Sequence, residues 1–247
     1  MLNSARITCD FLGLQPDDTA LLCMPLDYIA GKMVVVRSLE RRMHLLSVTP
    51  SGHPLSDASL SQLAVPDEEI TFAAMVPLQV YNSLQVPEEH ERLRRIRHLI
   101  IGGGAIDERL AEALHDFPHA VWSTYGMTET LSHIALRRLN GPDASDWYRP
   151  FDGVKTRLNS DGCLVIDAPA VCPGTLVTND RAELRSYGRQ DNATASCFRI
   201  LGRKDNVIDS GGIKIQIEEV ENRLRPILTG GFAITSCPDE QFGEAVV

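Results

Sequence analysis

Short apolar runs alternate with amphipathic stretches over the first 140 or so residues. Residues 19–24 form an apolar run closed by Pro25 and predict a strand. Residues 44–48 read the same way and stop at Thr49-Pro50-Ser51-Gly52. Between them, 32–43 carries helical spacing, with Met33, Val36, Leu39 and Met43 on one side and Arg37, Glu40 and Arg41 elsewhere. A charged helix is predicted over 88–97, then a buried strand over 98–101 that runs into Gly102-Gly103-Gly104. Asp107 suits the N-cap of a helix carrying Leu110, Ala111 and Leu114, and 120–123 predicts a further short strand. This rhythm of strand, loop and helix predicts an α/β sheet with some parallel pairing.

The pattern changes after about Pro142. Residues 154–158 and 163–167 alternate around Asn159-Ser160-Asp161-Gly162, the signature of a β-hairpin. Short strands follow at 174–178 and 197–201. An alternating run over 213–217 precedes a helix over 218–228 with Val220, Leu224 and Ile227 on one face. The expected organisation is an α/β first part, a β-rich middle, and a small α+β unit that begins near Gly202.

Charge narrows the function classes. The chain carries 24 Lys+Arg against 33 Asp+Glu, a formal net charge of -9, which argues against a nucleic-acid partner needing a basic face. Its apolar runs fall far short of the roughly 20 residues that span a bilayer, so no membrane span is expected. No basic-then-apolar signal peptide opens the chain. The six cysteines are dispersed with no CxxC pair, which fits reduced thiols in a cytoplasmic protein better than zinc or a disulfide framework.

Two segments carry candidate chemistry. Gly102-Gly103-Gly104-Ala105, between a strand and a helix, is either a tight turn or a loop whose bare backbone approaches a nucleotide. It does not complete the G-x-G-x-x-G dinucleotide pattern. Ser123-Thr124-Tyr125-Gly126-Met127-Thr128-Glu129-Thr130 packs hydroxyls, one aromatic ring, a glycine and one carboxylate directly after an apolar strand. An aromatic face can stack on a purine, hydroxyls and N–H groups can hold a phosphate, and one carboxylate can share a Mg²⁺ with phosphate oxygens. A polar loop with a structural tyrosine is the alternative.

The second segment closely resembles the Y-G-x-T-E motif of the adenylate-forming acyl-CoA ligase superfamily, the AMP-binding enzymes. Further resemblances follow in family order: Met24-Pro25-Leu26-Asp27-Tyr28-Ile29-Ala30-Gly31, the glycine-rich loop, Thr178-Asn179-Asp180, and Gly202-Arg203-Lys204-Asp205-Asn206 followed by Gly211-Gly212-Ile213-Lys214. Asn179 stands where the family usually has glycine. Within the superfamily, residues 28–33 and 125–133 most resemble the o-succinylbenzoate–CoA ligases of menaquinone biosynthesis. The resemblance implies an incomplete large adenylating domain over 1–202, a mixed sheet with helices plus a β-rich part. The start of a small α+β C-terminal domain would occupy 203–247.

It also implies two half-reactions, in which ATP with Mg²⁺ activates a small-molecule acid as its adenylate and CoA then displaces AMP. Carried over, Tyr125 stacks on adenine beside Gly103 and Gly104, with Thr124 and Gly126 in the same loop. Thr128 bonds the α-phosphate and Glu129 helps hold the metal. Asp180 and Arg203 serve the ribose region, and Asp205 is the hinge. Gly211, Gly212 and Lys214 lie toward the CoA channel, while Tyr28 and His133 border the acyl pocket. A second substrate carboxylate would want a cation, for which Lys32 and Arg37 are candidates. Plainer readings stand beside these: Asp180 as a turn-former, Arg203 in a surface ion pair, His133 as a packed histidine, Lys32 and Arg37 as solvated helix charges. A ligase for another aryl or acyl acid and a non-catalytic adenylate-binding module are the alternative functions.

The family's phosphate loop is expected before Met1 and its C-terminal catalytic lysine after Val247. The chain therefore reads as a fragment of a longer ligase, expected to adenylate poorly by itself.

Overall fold

In the computed structural model, which describes residues 1–61, 69–188, 194–228 and 232–247, the apolar runs of the first part pair side by side. β1 (Thr19–Leu22), β2 (His44–Ser47), β3 (Phe72–Met75), β4 (His98–Ile101) and β5 (Ala120–Gly126) run parallel in the order β2-β1-β3-β4-β5. Two antiparallel strands, β6 (His133–Arg138) and β7 (Arg149–Pro150), continue the sheet past β5. Strands covered on both faces need apolar side chains on both. Leu21, Ala73, Leu99 and Ile101 face one core with Val80, Leu93 and Leu110. Ala20, Leu22, Phe72 and Ile100 face the other with Cys9, Leu12 and Val34.

The covering helices are α1 (Leu2–Leu12), α2 (Ile29–Arg41), the short α3 (Ala58–Ser61), α4 (Pro77–Gln85), α5 (Pro87–Arg95) and α6 (Glu108–Leu114). α1 stops at Gly13, whose φ of 68° is left-handed and suits glycine. Asp107 caps α6 as its position predicts, accepting from the Leu110 N–H at 2.8 Å. No helix among the described residues is long and apolar enough to cross a membrane.

In this first part, two elements depart from the sequence expectation. α2 buries Met33, Val34, Arg37 and Ser38 and leaves Leu39 74% exposed, so its inner face is rotated from the expected one. β5 runs on through Thr124 and Tyr125 to Gly126, because Thr and Tyr fit a pleated, half-buried strand even where they look like loop residues. The motif therefore joins two antiparallel strands.

Contacts group the chain into two units, Met1–Val154 with Ala168–Gly174, and Lys155–Asp167 with Thr175–Val247. The second unit holds β8 (Lys155–Leu158), β9 (Cys163–Asp167), β10 (Leu176–Gly188) and β11 (Thr194–Arg203), antiparallel in the order β11-β10-β9-β8. The β8–β9 hairpin forms where expected. The Asn159 side chain accepts from the N–H groups of Asp161 and Cys163, and Gly162 takes a φ of 74°. β12 (Val207–Ser210), β13 (Ile213–Gln216), β14 (Ser236–Asp239) and β15 (Gly243–Val246) make a second sheet, with α7 (Ile217–Leu224) after β13. α7 ends four residues before the expected position. Pro226, just beyond the last turn, supplies no N–H to carry the helix on, and Ile227 is exposed.

Candidate active site

All five parallel strands point their C-terminal ends to one edge, where α/β sheets bind ligands. The glycine loop leaves β4 at this edge. A Cβ on Gly102 would collide with the Thr124 hydroxyl, and Gly103 takes a φ of 80°. Gly104 lies against Pro77 at the start of α4. Gly103 and Gly104 stay exposed, with bare backbone open to a ligand. The tight-turn and ligand-loop readings of this stretch are thus compatible.

At the end of β5 the chain turns through Thr128–Thr130 into β6. Gly126 is required here, since a Cβ would sit 2.5 Å from the Cα of His133 and from the Ser132 carbonyl oxygen. Buried Thr130 fastens the turn: its hydroxyl accepts from the Met127 N–H at 3.0 Å and lies 2.7 Å from the Ser132 carbonyl. Leu131 holds a φ of 67°, uncommon for a branched side chain. The turn thereby lifts Thr128 and Glu129 into exposed positions. Tyr125, half-buried, lies with its ring 5.7 Å from that of Tyr148. The Tyr148 hydroxyl meets buried Ser123 at 2.8 Å, and the Arg137 guanidinium lies 5.4 Å from its ring. Sequence reasoning did not single out Tyr148 or the turn-fastening role of Thr130.

The acyl-side candidates separate. Tyr28 caps α2 and is 67% exposed, while Gly31 is needed because a Cβ there would strike the Met24 and Pro25 carbonyl oxygens. Lys32 is exposed. Arg37 is 2% exposed, with Nη2 donating to the Ser132 hydroxyl at 2.9 Å and its guanidinium 6.0 Å from the Phe72 ring. This corrects the solvated-charge reading of Arg37. Its Nε has no hydrogen-bond partner, and no carboxylate pairs with it among the described residues. Burial lowers its pKa to about 10, so it remains a cation at neutral pH. Next along the chain, His133 is buried, its Nδ1 3.3 Å from the Ser132 hydroxyl and its Nε2 3.0 Å from that of Thr8. Burial, reinforced by the Arg37 charge, pushes its pKa well below the ordinary imidazole value.

In the second unit, Thr178-Asn179-Asp180 sits at an irregularity of β10, where the pairing with β9 skips register. The Thr178 hydroxyl donates to the Leu164 carbonyl at 2.9 Å and accepts from the Asp180 N–H at 3.1 Å. Asp180 opposes Arg203 on β11, with carboxylate and guanidinium 3.6 Å apart. Arg203 also donates twice to Asp205, whose carboxyl is held below the ordinary range by those bonds. Gly211 and Gly212, with φ of 61° and 85°, form the two-residue turn from β12 to β13. Lys214 is exposed just beyond it.

The chemistry on offer is that of a binding and positioning site. An exposed hydroxyl and carboxylate follow an aromatic ring, near bare glycine backbone and a buried cation that has no counter-charge among the described residues. Among the described residues no group of three or more His, Cys, Asp or Glu could cage a metal. A lone exposed carboxylate, Glu129, suits Mg²⁺, which keeps several waters and takes its other oxygens from substrate phosphates.

A family model described as AMP-binding enzyme matches residues 1–174. Among curated proteins, 2-succinylbenzoate--CoA ligase of Bacillus mycoides is 25% identical, the match covering 94% of this chain and 51% of that protein. The ligase of the same name from Bacillus cereus AH820 is 26% identical with the same coverage. The chain spans about half the length of these relatives. Among solved structures, an acyl-CoA synthetase (AMP-forming)/AMP-acid ligase II-like protein from Dyadobacter fermentans is 33% identical, with TM-score 0.71. That match covers 100% of this chain and 67% of the other. O-succinylbenzoate coenzyme A synthetase of Bacillus subtilis, in complex with ATP and magnesium ion, shares the fold at TM-score 0.69 and 21% identity, covering 100% of this chain and 55% of that one.

Proposed function

As this chain belongs to the AMP-binding enzyme family, we propose that it serves the ATP-dependent ligation of o-succinylbenzoate to CoA. One substrate carboxylate attacks the α-phosphorus of ATP; an acyl–phosphate bond forms and pyrophosphate leaves. The CoA thiol, giving up its proton, then attacks the acyl carbon, so that a C–S bond forms, the C–O bond breaks and AMP departs. No side-chain nucleophile takes part. Positioning and stabilisation of charge at phosphorus supply the rate.

In this reading Tyr125 stacks on adenine, with Gly103 and Gly104 presenting backbone to its edge. The Thr128 hydroxyl donates to the α-phosphate, and Glu129 accepts a place in the Mg²⁺ shell of the nucleotide. Asp180 accepts from ribose hydroxyls and Arg203 donates nearby. Asp205 is the pivot of a small domain beginning at residue 203, and the Gly211-Gly212 turn with Lys214 faces CoA. Cytoplasmic location belongs to the same reading.

One observation supports this acid in particular. Arg37 is a fully buried cation beside the turn, lacking a carboxylate among the described residues. Taking a guanidinium out of water costs several kcal/mol unless an anion answers it. o-Succinylbenzoate brings two carboxylates, one for activation and one for Arg37. Lys32, the other candidate cation, is exposed on α2 and lacks the burial that calls for an anion. The activity named for the Bacillus relatives points to the same acid.

An ATP–pyrophosphate exchange screen over candidate acids tests the proposal, run on the protein with whatever flanking sequence its gene encodes. Exchange stimulated by o-succinylbenzoate is expected. Exchange driven by benzoate or a fatty acid but not by o-succinylbenzoate would remove this substrate, and none with any acid would leave an adenylate-binding module.

A further inference from the structure

Resting on the acid-binding role of Arg37, we infer that Thr8 and His133 are positioning residues that hold Arg37 through a one-directional hydrogen-bond chain ending on α1. The chain runs from Arg37 Nη2 to the Ser132 hydroxyl (2.9 Å), to His133 Nδ1 (3.3 Å), then from His133 Nε2 to the Thr8 hydroxyl (3.0 Å), and from Thr8 to the Ser4 carbonyl (3.1 Å).

Its direction follows from counting protons. A hydroxyl has one hydrogen to give, and Thr8 gives its hydrogen to Ser4 within the helix. Toward His133, Thr8 can therefore only accept, so His133 Nε2 carries a hydrogen. The ring is buried beside the Arg37 cation and is neutral, so it has a single N–H and its Nδ1 is bare. Bare Nδ1 accepts, and Ser132 must donate to it. That donation leaves Ser132 with lone pairs only for Arg37, a group that can do nothing but donate. Each link is thus satisfied in one sense, and reversing any of them would set two donors or two acceptors face to face.

The consequence is specificity set from a distance. With its hydroxyl proton committed to His133, Ser132 has none for a substrate carboxylate. The second carboxylate of the acid is left to Arg37, whose buried Nε–H has no partner among the described residues. Thr8, on a helix far in sequence from the Tyr125–Thr130 motif, thereby fixes the orientation of the group that tells a dicarboxylate from a monocarboxylate.

The test compares the wild type with Thr8→Val, which removes the hydroxyl at nearly constant shape, and Thr8→Ser, which retains it. Imidazole ¹⁵N NMR should show His133 with Nε2 protonated and Nδ1 bare in the wild type and in Thr8→Ser. Thr8→Val should give a mixed tautomer, with Arg37 guanidinium protons exchanging about tenfold faster, a loss that Thr8→Ser restores. In the exchange assay, the preference for o-succinylbenzoate over benzoate in kcat/KM should fall about tenfold in Thr8→Val and return in Thr8→Ser. Nδ1–H in the wild type, or unaltered Arg37 exchange in a folded Thr8→Val, would overturn the inference. If those spectra come out as expected while o-succinylbenzoate supports no exchange, the chain stands and the substrate assignment falls.

Discussion

The guanidinium of Arg203 and the carboxylate of Asp205, two residues apart, share two hydrogen bonds of 2.9 and 2.7 Å across the turn that leads from β11 to β12. The pair is half-exposed, at 51% for each side chain, so solvent screens it and its worth to the fold is small. Its expected importance lies in the pivot. Released from Asp205, Arg203 falls to Asp180, already 3.6 Å away. Asp205→Ala should leave the urea midpoint nearly unchanged. It should slow thioester formation about tenfold, some 1.4 kcal/mol of barrier, with less effect on pyrophosphate exchange. Separate assays of the two half-reactions decide the matter, and equal losses in both would argue against a pivot here.

Arg37 sets function against stability. Buried with no counter-anion among the described residues, its cation burdens the fold, and an apolar side chain of similar length relieves it. Arg37→Met should raise stability by about 1–3 kcal/mol in urea unfolding. On the proposed function the same change also removes a charge-assisted bond to the acid, and should cost about 10- to 100-fold in kcat/KM for o-succinylbenzoate. A variant that is both less stable and equally active would show Arg37 to be structural.

The sequence made some of these features readable and hid others for physical reasons. Gly31, Gly102 and Gly126 stood out as glycines inside a motif, and each proves to sit where a Cβ would meet neighbouring atoms. Asp107 and Asn159 announced a cap and a turn through short-range bonds, which depend on few residues. Arg37 was a candidate cation, but its burial was hidden because Val34, Val35 and Val36 make α2 apolar on every side near it, so periodicity could not choose the inner face. α1 escaped because Ser4 and Thr8, polar in composition, turn inward, where the Thr8 hydroxyl meets both the Ser4 carbonyl and the His133 ring. The Thr8–His133 pairing joins residues 125 positions apart, and no local pattern encodes it.

Glu89 is hidden in the same way, one acid in the charged run of α5, yet its side chain is buried. Its carboxylate accepts from the Ser56 hydroxyl at 2.5 Å, the His53 ring at 2.9 Å and the Ser83 hydroxyl at 2.8 Å. Burial pushes the carboxyl up, but these donors outweigh it and hold it below the ordinary range. Glu89→Gln sets an amide N–H₂ against groups that had been donating, at a cost of about 2 kcal/mol in urea unfolding. Because the folded group titrates below its unfolded counterpart, its contribution is present above about pH 4.3 and is lost as pH falls through the folded value. The variant should therefore differ most from wild type near neutrality and converge with it in acid.

His133 has the opposite acid–base sense. Burial first, and then the nearby Arg37 charge, keep its ring neutral when folded, whereas an unfolded chain protonates it at about pH 6.5. Below that pH the unfolded state binds a proton that the folded state refuses, so stability falls as pH drops and is recovered as pH rises through 6.5. One such group contributes a slope of up to about 1.4 kcal/mol per pH unit. His98 adds to the slope, its pKa lowered by burial and then by Arg97. His133→Gln replaces the ring by an amide that does not titrate. Urea midpoints measured from pH 8 to pH 5 should fall steeply in the wild type and less steeply in the variant, the difference opening below about pH 6.5. Parallel curves would mean that His133 takes up its proton in the folded protein, and with that proton on Nδ1 the ring could no longer accept from Ser132.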